Sequence, residues 1–169
     1  SQTFAVLVEN SLYAPPFYGD TQGHITPGIV PVLPTVQNGG ISADFKTWKF
    51  TLLPNLKWSD GQPLNADDLD FTWKLWNNPK FAAAVTTGYN LITSADVSAD
   101  KLSITFHLKQ AFAPFLAGWT DGGGAPLPKH IFQNIAPDQI LKSKENLDPS
   151  VTSGPFKMSE SVTGKHYTV

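Results

Sequence analysis

Apolar and polar positions along the chain follow two periods, and each predicts a different element. Trp48, Phe50 and Leu52 alternate with Lys49 and Thr51, the period of a half-buried strand. Leu69, Thr72, Trp73 and Trp76 recur at helical spacing, which predicts a helix over 66–76 with that stripe inward. Asn65 is placed to cap it, and Asp67 and Asp68 stand in its first turn beside the positive end of the helix dipole. Asn77, Asn78 and Pro79 stop it. Strands over 91–97 and 101–108 read as a hairpin. In the second, Leu102, Ile104, Phe106 and Leu108 face inward, and Ser103, Thr105 and His107 outward. At the start, Phe4, Leu7, Val8 and Leu12 fit a short helix over 3–12, and Val6 and Val8 fit a strand almost as well.

Between these segments the pattern breaks. Pro15, Pro16, Pro27, Gly28, Pro31, Pro34 and the run Asn38, Gly39, Gly40 make 14–40 a succession of turns. Short helices are expected over 113–118, over 128–134 with Pro128 as first residue, and over 137–143. The tail turns at Gly154 and Pro155 and then predicts a strand over 156–160, with Phe156 and Met158 on one face. The sum is an α+β domain: a small, mostly antiparallel sheet with several short helices packed on it.

Composition narrows the chemistry. The 169 residues are 41% hydrophobic and only 15% charged, which excludes a disordered acidic or basic chain. The net charge of −2 supplies no field for nucleic acid or an anionic membrane. All 12 basic residues are Lys, so no guanidinium is present to clamp a phosphate or carboxylate in bidentate fashion. With no Cys, thiol catalysis, thiolate metal sites and disulfides are excluded. No apolar run is long enough to span a membrane. The opening residues lack the basic and apolar regions of a targeting signal and read as the middle of a protein.

No catalytic set emerges. His24, His107, His130 and His166 stand apart, without the paired spacing of a zinc site. Asp60, Asp67, Asp68 and Asp70 do not follow the calcium-loop pattern and read as helix-start electrostatics. Gly122, Gly123 and Gly124 lack the spacing of a phosphate loop. Ser98 and Lys101 formally match a Ser-x-x-Lys pair, but they fall in a strand turn, and the partner motifs of penicillin-recognising enzymes are missing. The chain is therefore expected to be non-enzymatic, with no metal or cofactor. Trp48, Trp58, Trp73 and Trp76 are assigned to the core. Trp119 sits beside Asp121 and the glycine run, where no periodicity explains a ring. Contact with a ligand or partner and local packing both remain open for it.

Residues 45–79, FKTWKFTLLPNLKWSDGQPLNADDLDFTWKLWNNP, resemble the bacterial extracellular solute-binding proteins of the peptide-binding group. The shared elements are the Lys57-Trp58-Ser59-Asp60-Gly61-Gln62-Pro63 turn and the helix that follows, acidic at its start and aromatic further on. Pro27-Gly28, Ala113-Pro114-Phe115-Leu116, Pro126-Leu127-Pro128-Lys129-His130 and Ser153-Gly154-Pro155-Phe156-Lys157 resemble further family segments in the same order. Leu53 stands where the family commonly has Arg, and 29–44 looks longer than usual.

The resemblance implies a periplasmic-binding-protein type II-like fragment. Residues 1–155 would be the additional domain beside lobe one, and 156–169 the start of the return into that lobe. It implies capture of peptide-like solutes for an ATP-driven importer, with the transporter permease and the remaining lobes as partners. The location would be periplasmic or extracellular, lipid-anchored in a Gram-positive-type cell. The candidate ligand contacts are Phe81, Tyr89, Trp119 and Asp121, taken as exposed-looking residues on the loops 79–90 and 118–125. A stand-alone protein- or carbohydrate-binding module built on exposed aromatics is the alternative.

Overall fold

The computed structural model describes residues 11–81, 83, 86, 88–120, 124–162 and 166–168. Most of the segment 3–12, together with Asp121, Gly122 and Gly123, lies outside the described residues. A three-stranded antiparallel sheet forms the centre: β3 (Thr47–Thr51), β4 (Ile92–Val97) and β5 (Ser103–Leu108), in the order β3-β5-β4. Trp48 lies opposite Phe106 and Phe50 opposite Ile104, so the alternating apolar residues of both strands share one face. Those four and Leu108 are buried, whereas Lys49 and Thr51 on the other face are exposed. A bulge between Ile92 and Ser94 shifts the register of β4 near its start. The turn joining β4 to β5 uses Ser98, whose hydroxyl donates to Asp100 at 2.6 Å, which leaves the Ser-x-x-Lys match as turn chemistry.

The turn-rich stretch also contains a small hairpin that the sequence pattern concealed, β1 (Phe17–Gly19) with β2 (Ile25–Pro27). Three residues per strand are too few for periodicity to register. Its turn is closed by Asp20, whose Oδ1 accepts from the amides of Gln22 and His24, both at 2.8 Å.

Helix α1 (Ala66–Trp76) starts where the cap signal places it, with a complete capping box: Asn65 accepts from the amide of Asp67, and Asp68 accepts from that of Asn65. Its buried face is broader than the predicted stripe. Ala66, Asp68, Leu69, Thr72 and Leu75 are buried, whereas Trp73 and Trp76 are half-buried. The helix lies between two partners, the sheet and the segment 126–132. Asp68 and Thr72 therefore turn to the second partner, and Trp73 moves to the edge, where its indole N–H donates to Asp70 at 3.0 Å.

The 3₁₀ segment Ala113–Trp119 presses Phe115 and Trp119 onto the sheet. Three four-residue helices follow: α2 (Lys129–Phe132), α3 (Pro137–Ile140) and α4 (Lys144–Leu147). A second apolar cluster of Leu75, Phe81, Phe132 and Ile140 sits beneath them, beside the main core. The final strand begins later than its pattern suggests. β6 (Glu160–Val162) pairs with β7 (His166–Thr168), and Phe156, expected on a strand face, is 51% exposed before that ladder.

Candidate functional site

Three of the segments that carry the resemblance, the turn at 57–63, helix α1 and the segment 126–130, meet in one hydrogen-bonded knot. Asp68 is 4% exposed, and its carboxylate accepts from the amide of Asn65 (3.0 Å), the indole of Trp58 (3.3 Å) and the amide of Lys129 (3.0 Å). One turn further on, the hydroxyl of Thr72 donates to the carbonyl of Asp68 at 2.7 Å and accepts from the amide of Leu127 at 2.8 Å. Two buried polar side chains of α1 thus hold the Pro-Leu-Pro-Lys-His segment by its backbone. His130 meets Asp60 of the Asp-Gly turn at 2.8 Å. Ser59 in that turn exchanges two bonds with Thr152, at 2.8 and 3.0 Å.

Two motif glycines serve close approach rather than a turn. A Cβ on Gly28 would lie 2.3 Å from the carbonyl oxygen of Pro15, and one on Gly154 would lie 2.5 Å from that of Ser11. The acidic run accordingly divides by partner: Asp60 to His130, Asp67 to Lys101, Asp68 to the knot and Asp70 to Lys74. Desolvation raises the Asp68 carboxyl above the ordinary carboxylate range, and the three hydrogen bonds it accepts only partly oppose the shift. At Asp60 burial also works against the charged form, but the amide of Gln62 and the His130 ring outweigh it and hold the carboxyl low.

Phe81, Tyr89 and Trp119 point inward, the last two from 3₁₀ turns, which corrects the expectation that these rings are exposed on loops. Trp119 is 1% exposed, Tyr89 5% and Phe81 6%. Trp119 packs on Phe106 at 4.8 Å between ring centroids and on Tyr89 at 4.9 Å. Tyr89 stacks on Trp76 at 5.9 Å with 14° between planes, and Trp76 meets Phe81 edge-on at 5.7 Å. Phe81, Trp76, Tyr89 and Trp119 therefore form a continuous ring stack that joins the two cores. The physical cause is a pair of side-chain-to-backbone hydrogen bonds between residues distant in sequence. Asn77 donates from its side-chain amide to the carbonyl of Tyr89 at 2.7 Å, and the Tyr89 hydroxyl donates to that of Gly118 at 2.7 Å. Both bonds pull the loops onto the rings, and burial raises the Tyr89 hydroxyl well above its ordinary range. Asp121 lies outside the described residues.

Outside the stack, a cavity of about 280 Å³ opens at the C-terminal end of α1, lined by Trp76, Asn77, Asn78, Pro79, Ala83, Thr86 and Asn90. The helix periodicity placed Trp76 in the core and read the two Asn residues as a helix stop. The doubled Asn beside an aromatic was the only sequence sign of a polar recess there. Among the described residues no group of three or more His, Asp or Glu converges as metal ligands would; His24, His107 and His130 each pair with one Asp at 2.8 Å. No helix among the described residues is long and apolar enough to cross a membrane.

Comparison with known proteins agrees with the fold. The family described as "Bacterial extracellular solute-binding proteins, family 5 Middle" matches residues 30–169. The oligopeptide-binding protein AppA of Bacillus subtilis is 29% identical over 129 residues, which is 76% of this chain and 22% of AppA. The structure of that protein in complex with a nonapeptide superposes with a TM-score of 0.82 at 22% identity, covering 95% of this chain and 30% of the other. NikZ from Campylobacter jejuni, in complex with Ni(L-His), superposes with a TM-score of 0.79 at 22% identity, covering 94% of this chain and 29% of NikZ. This chain thus spans about a quarter of the length of the relatives it matches. Its architecture is that of part of a type II periplasmic-binding-protein fold, and the chain belongs to the bacterial extracellular solute-binding proteins, family 5.

Proposed function

We propose that residues 1–155 are the additional domain of a longer, non-catalytic solute-binding protein that captures peptide-like solutes outside the membrane for an ATP-driven importer. Residues 156–169 then begin the return into the adjoining lobe. One observation carries the reading: the family matches over 30–169, while the chain accounts for only 22% of the length of a relative named for binding oligopeptides. In this role the domain contributes one wall of a cleft. Its contact with solute comes from the surface carried by Phe81, Tyr89 and Trp119, with Asp121 two residues beyond. The buried stack stiffens that surface, and Asn77, Asn78 and Asn90 line the adjoining cavity. The stand-alone module loses the exposed aromatic platform it requires, because the three rings are covered.

Two measurements test the proposal. The intact gene product should be several times longer than this chain and should bind peptides in calorimetry. This chain alone, with a single wall and no Arg to clamp a terminal carboxylate, should bind di-, tri- and pentapeptides no more tightly than about 1 mM, roughly −4 kcal/mol. Micromolar binding by the 169-residue chain would overturn the proposal.

A further inference from the structure

We propose that the crossing of segments 11–14 and 153–156 is the seat on which this domain joins the rest of its polypeptide, and that the exposed ring of Phe156 is the anchor buried there. The inference rests on the fragment reading above. The two segments are laced together. The amides of Ser153 and Gly154 donate to the carbonyl of Leu12 at 3.0 and 2.7 Å, and that of Phe156 donates to Ser11 at 3.2 Å. The amide of Ala14 donates to the hydroxyl of Ser153 at 3.0 Å. Gly154 makes the crossing possible, since a side chain there would run into the backbone of Ser11 and Leu12. The inbound and outbound chains therefore leave the domain at one spot.

Phe156 stands at that spot with 51% of its surface in water, although Phe17, Phe50, Phe106, Phe115 and Phe132 are buried. Just beyond it, β6 and β7 pair in a ribbon of two strands, an arrangement that is marginal in water without a surface to pack on. An exposed ring and a two-stranded ribbon thus follow a hydrogen-bonded crossing. The occupant that fits is the neighbouring part of the same polypeptide, because connectivity holds it at the crossing at high effective concentration.

Cysteine accessibility tests this cleanly, because the chain has no Cys. F156C is prepared in the 169-residue chain and in the full-length gene product, and each is labelled with an uncharged maleimide. Each rate is divided by that of the same protein in urea, after subtracting the labelling of the unsubstituted protein. F156C should react nearly as fast as in urea within the short chain, and about tenfold more slowly or less within the full-length protein. Equal ratios in the two proteins would overturn the proposal. So would slow labelling in the short chain that accelerates on dilution, since a second copy would then be the cover. A gene product no longer than this chain would show in its intact mass before any labelling, and it would remove the fragment reading itself.

Discussion

Trp119 and Trp73 show how a side chain's role depends on what folds over it. Trp119 sits in a stretch without period, yet it is 1% exposed, wedged among Phe50, Phe106, Phe115 and Tyr89. Trp73 lies on a helical stripe, yet it is half-buried and spends its N–H on Asp70. Trp119→Ala should therefore cost about 3–5 kcal/mol in urea melts, the usual range for a core aromatic. Trp73→Ala should cost less than half as much; a larger loss for Trp73 would place it in the core after all. Asp68 supports a second prediction, this one about pH. Its carboxyl is raised in the fold, so its stabilising contribution is complete below the ordinary carboxylate range and is lost as pH rises through the raised value. Asp20, Asp44, Asp60 and Asp100 are lowered, so their contributions are present at neutral pH and lost as pH falls through their lowered values. These four are common to the parent and Asp68→Asn, and they cancel in the difference. The stability of the parent minus that of Asp68→Asn should thus decline as pH rises from about 3 to 7. Parallel curves would mean that the Asp68 carboxyl is not perturbed by burial.

Among the elements, α1 owes its start to local chemistry and its orientation to its neighbours. The capping box is written in Asn65 and Asp68, and Asn65→Ala should cost about 1 kcal/mol in thermal or denaturant unfolding. No loss at all would show that the N-terminal amides find other partners. Asp68 also serves Trp58 and Lys129, so a residue that periodicity assigns to helix-start electrostatics is the pin joining a turn, a helix and the loop before α2. At the crossing of segments 11–14 and 153–156, Gly154→Ala should destabilise the chain more than a surface Gly→Ala change, because the new methyl meets backbone and no flexible side chain can move aside. A neutral result in urea melts would show that the crossing has room.

At the scale of the whole molecule, the described residues pack around a three-stranded sheet, and the segments 11–14 and 153–156, far apart in sequence, are bonded to each other. Period-two alternation determined β3 and β5 and their inward faces, because burial of one sheet face writes itself into every second residue. Strand β4, with its bulge, was legible only as the partner strand of a hairpin. The cap signal determined where α1 begins, since it depends on a few adjacent residues alone. The ordered motifs from Pro27 to Phe156 determined the family, because each of them meets a backbone or side-chain demand that few residues satisfy: no Cβ at Gly28 and Gly154, a buried acceptor at Asp68. Other features escaped the sequence. The β1–β2 hairpin is too short to show a period, and a loop ring carries no local sign of which way it turns. Whether Phe81, Tyr89 and Trp119 face water or core was decided only in three dimensions, by hydrogen bonds from Asn77 to Tyr89 and from Tyr89 to Gly118 that join residues 12 and 29 positions apart. The same tertiary contacts turned Trp76 from a core residue into the wall between the ring stack and a polar cavity, because an aromatic at a helix end takes its environment from whichever loop returns over it.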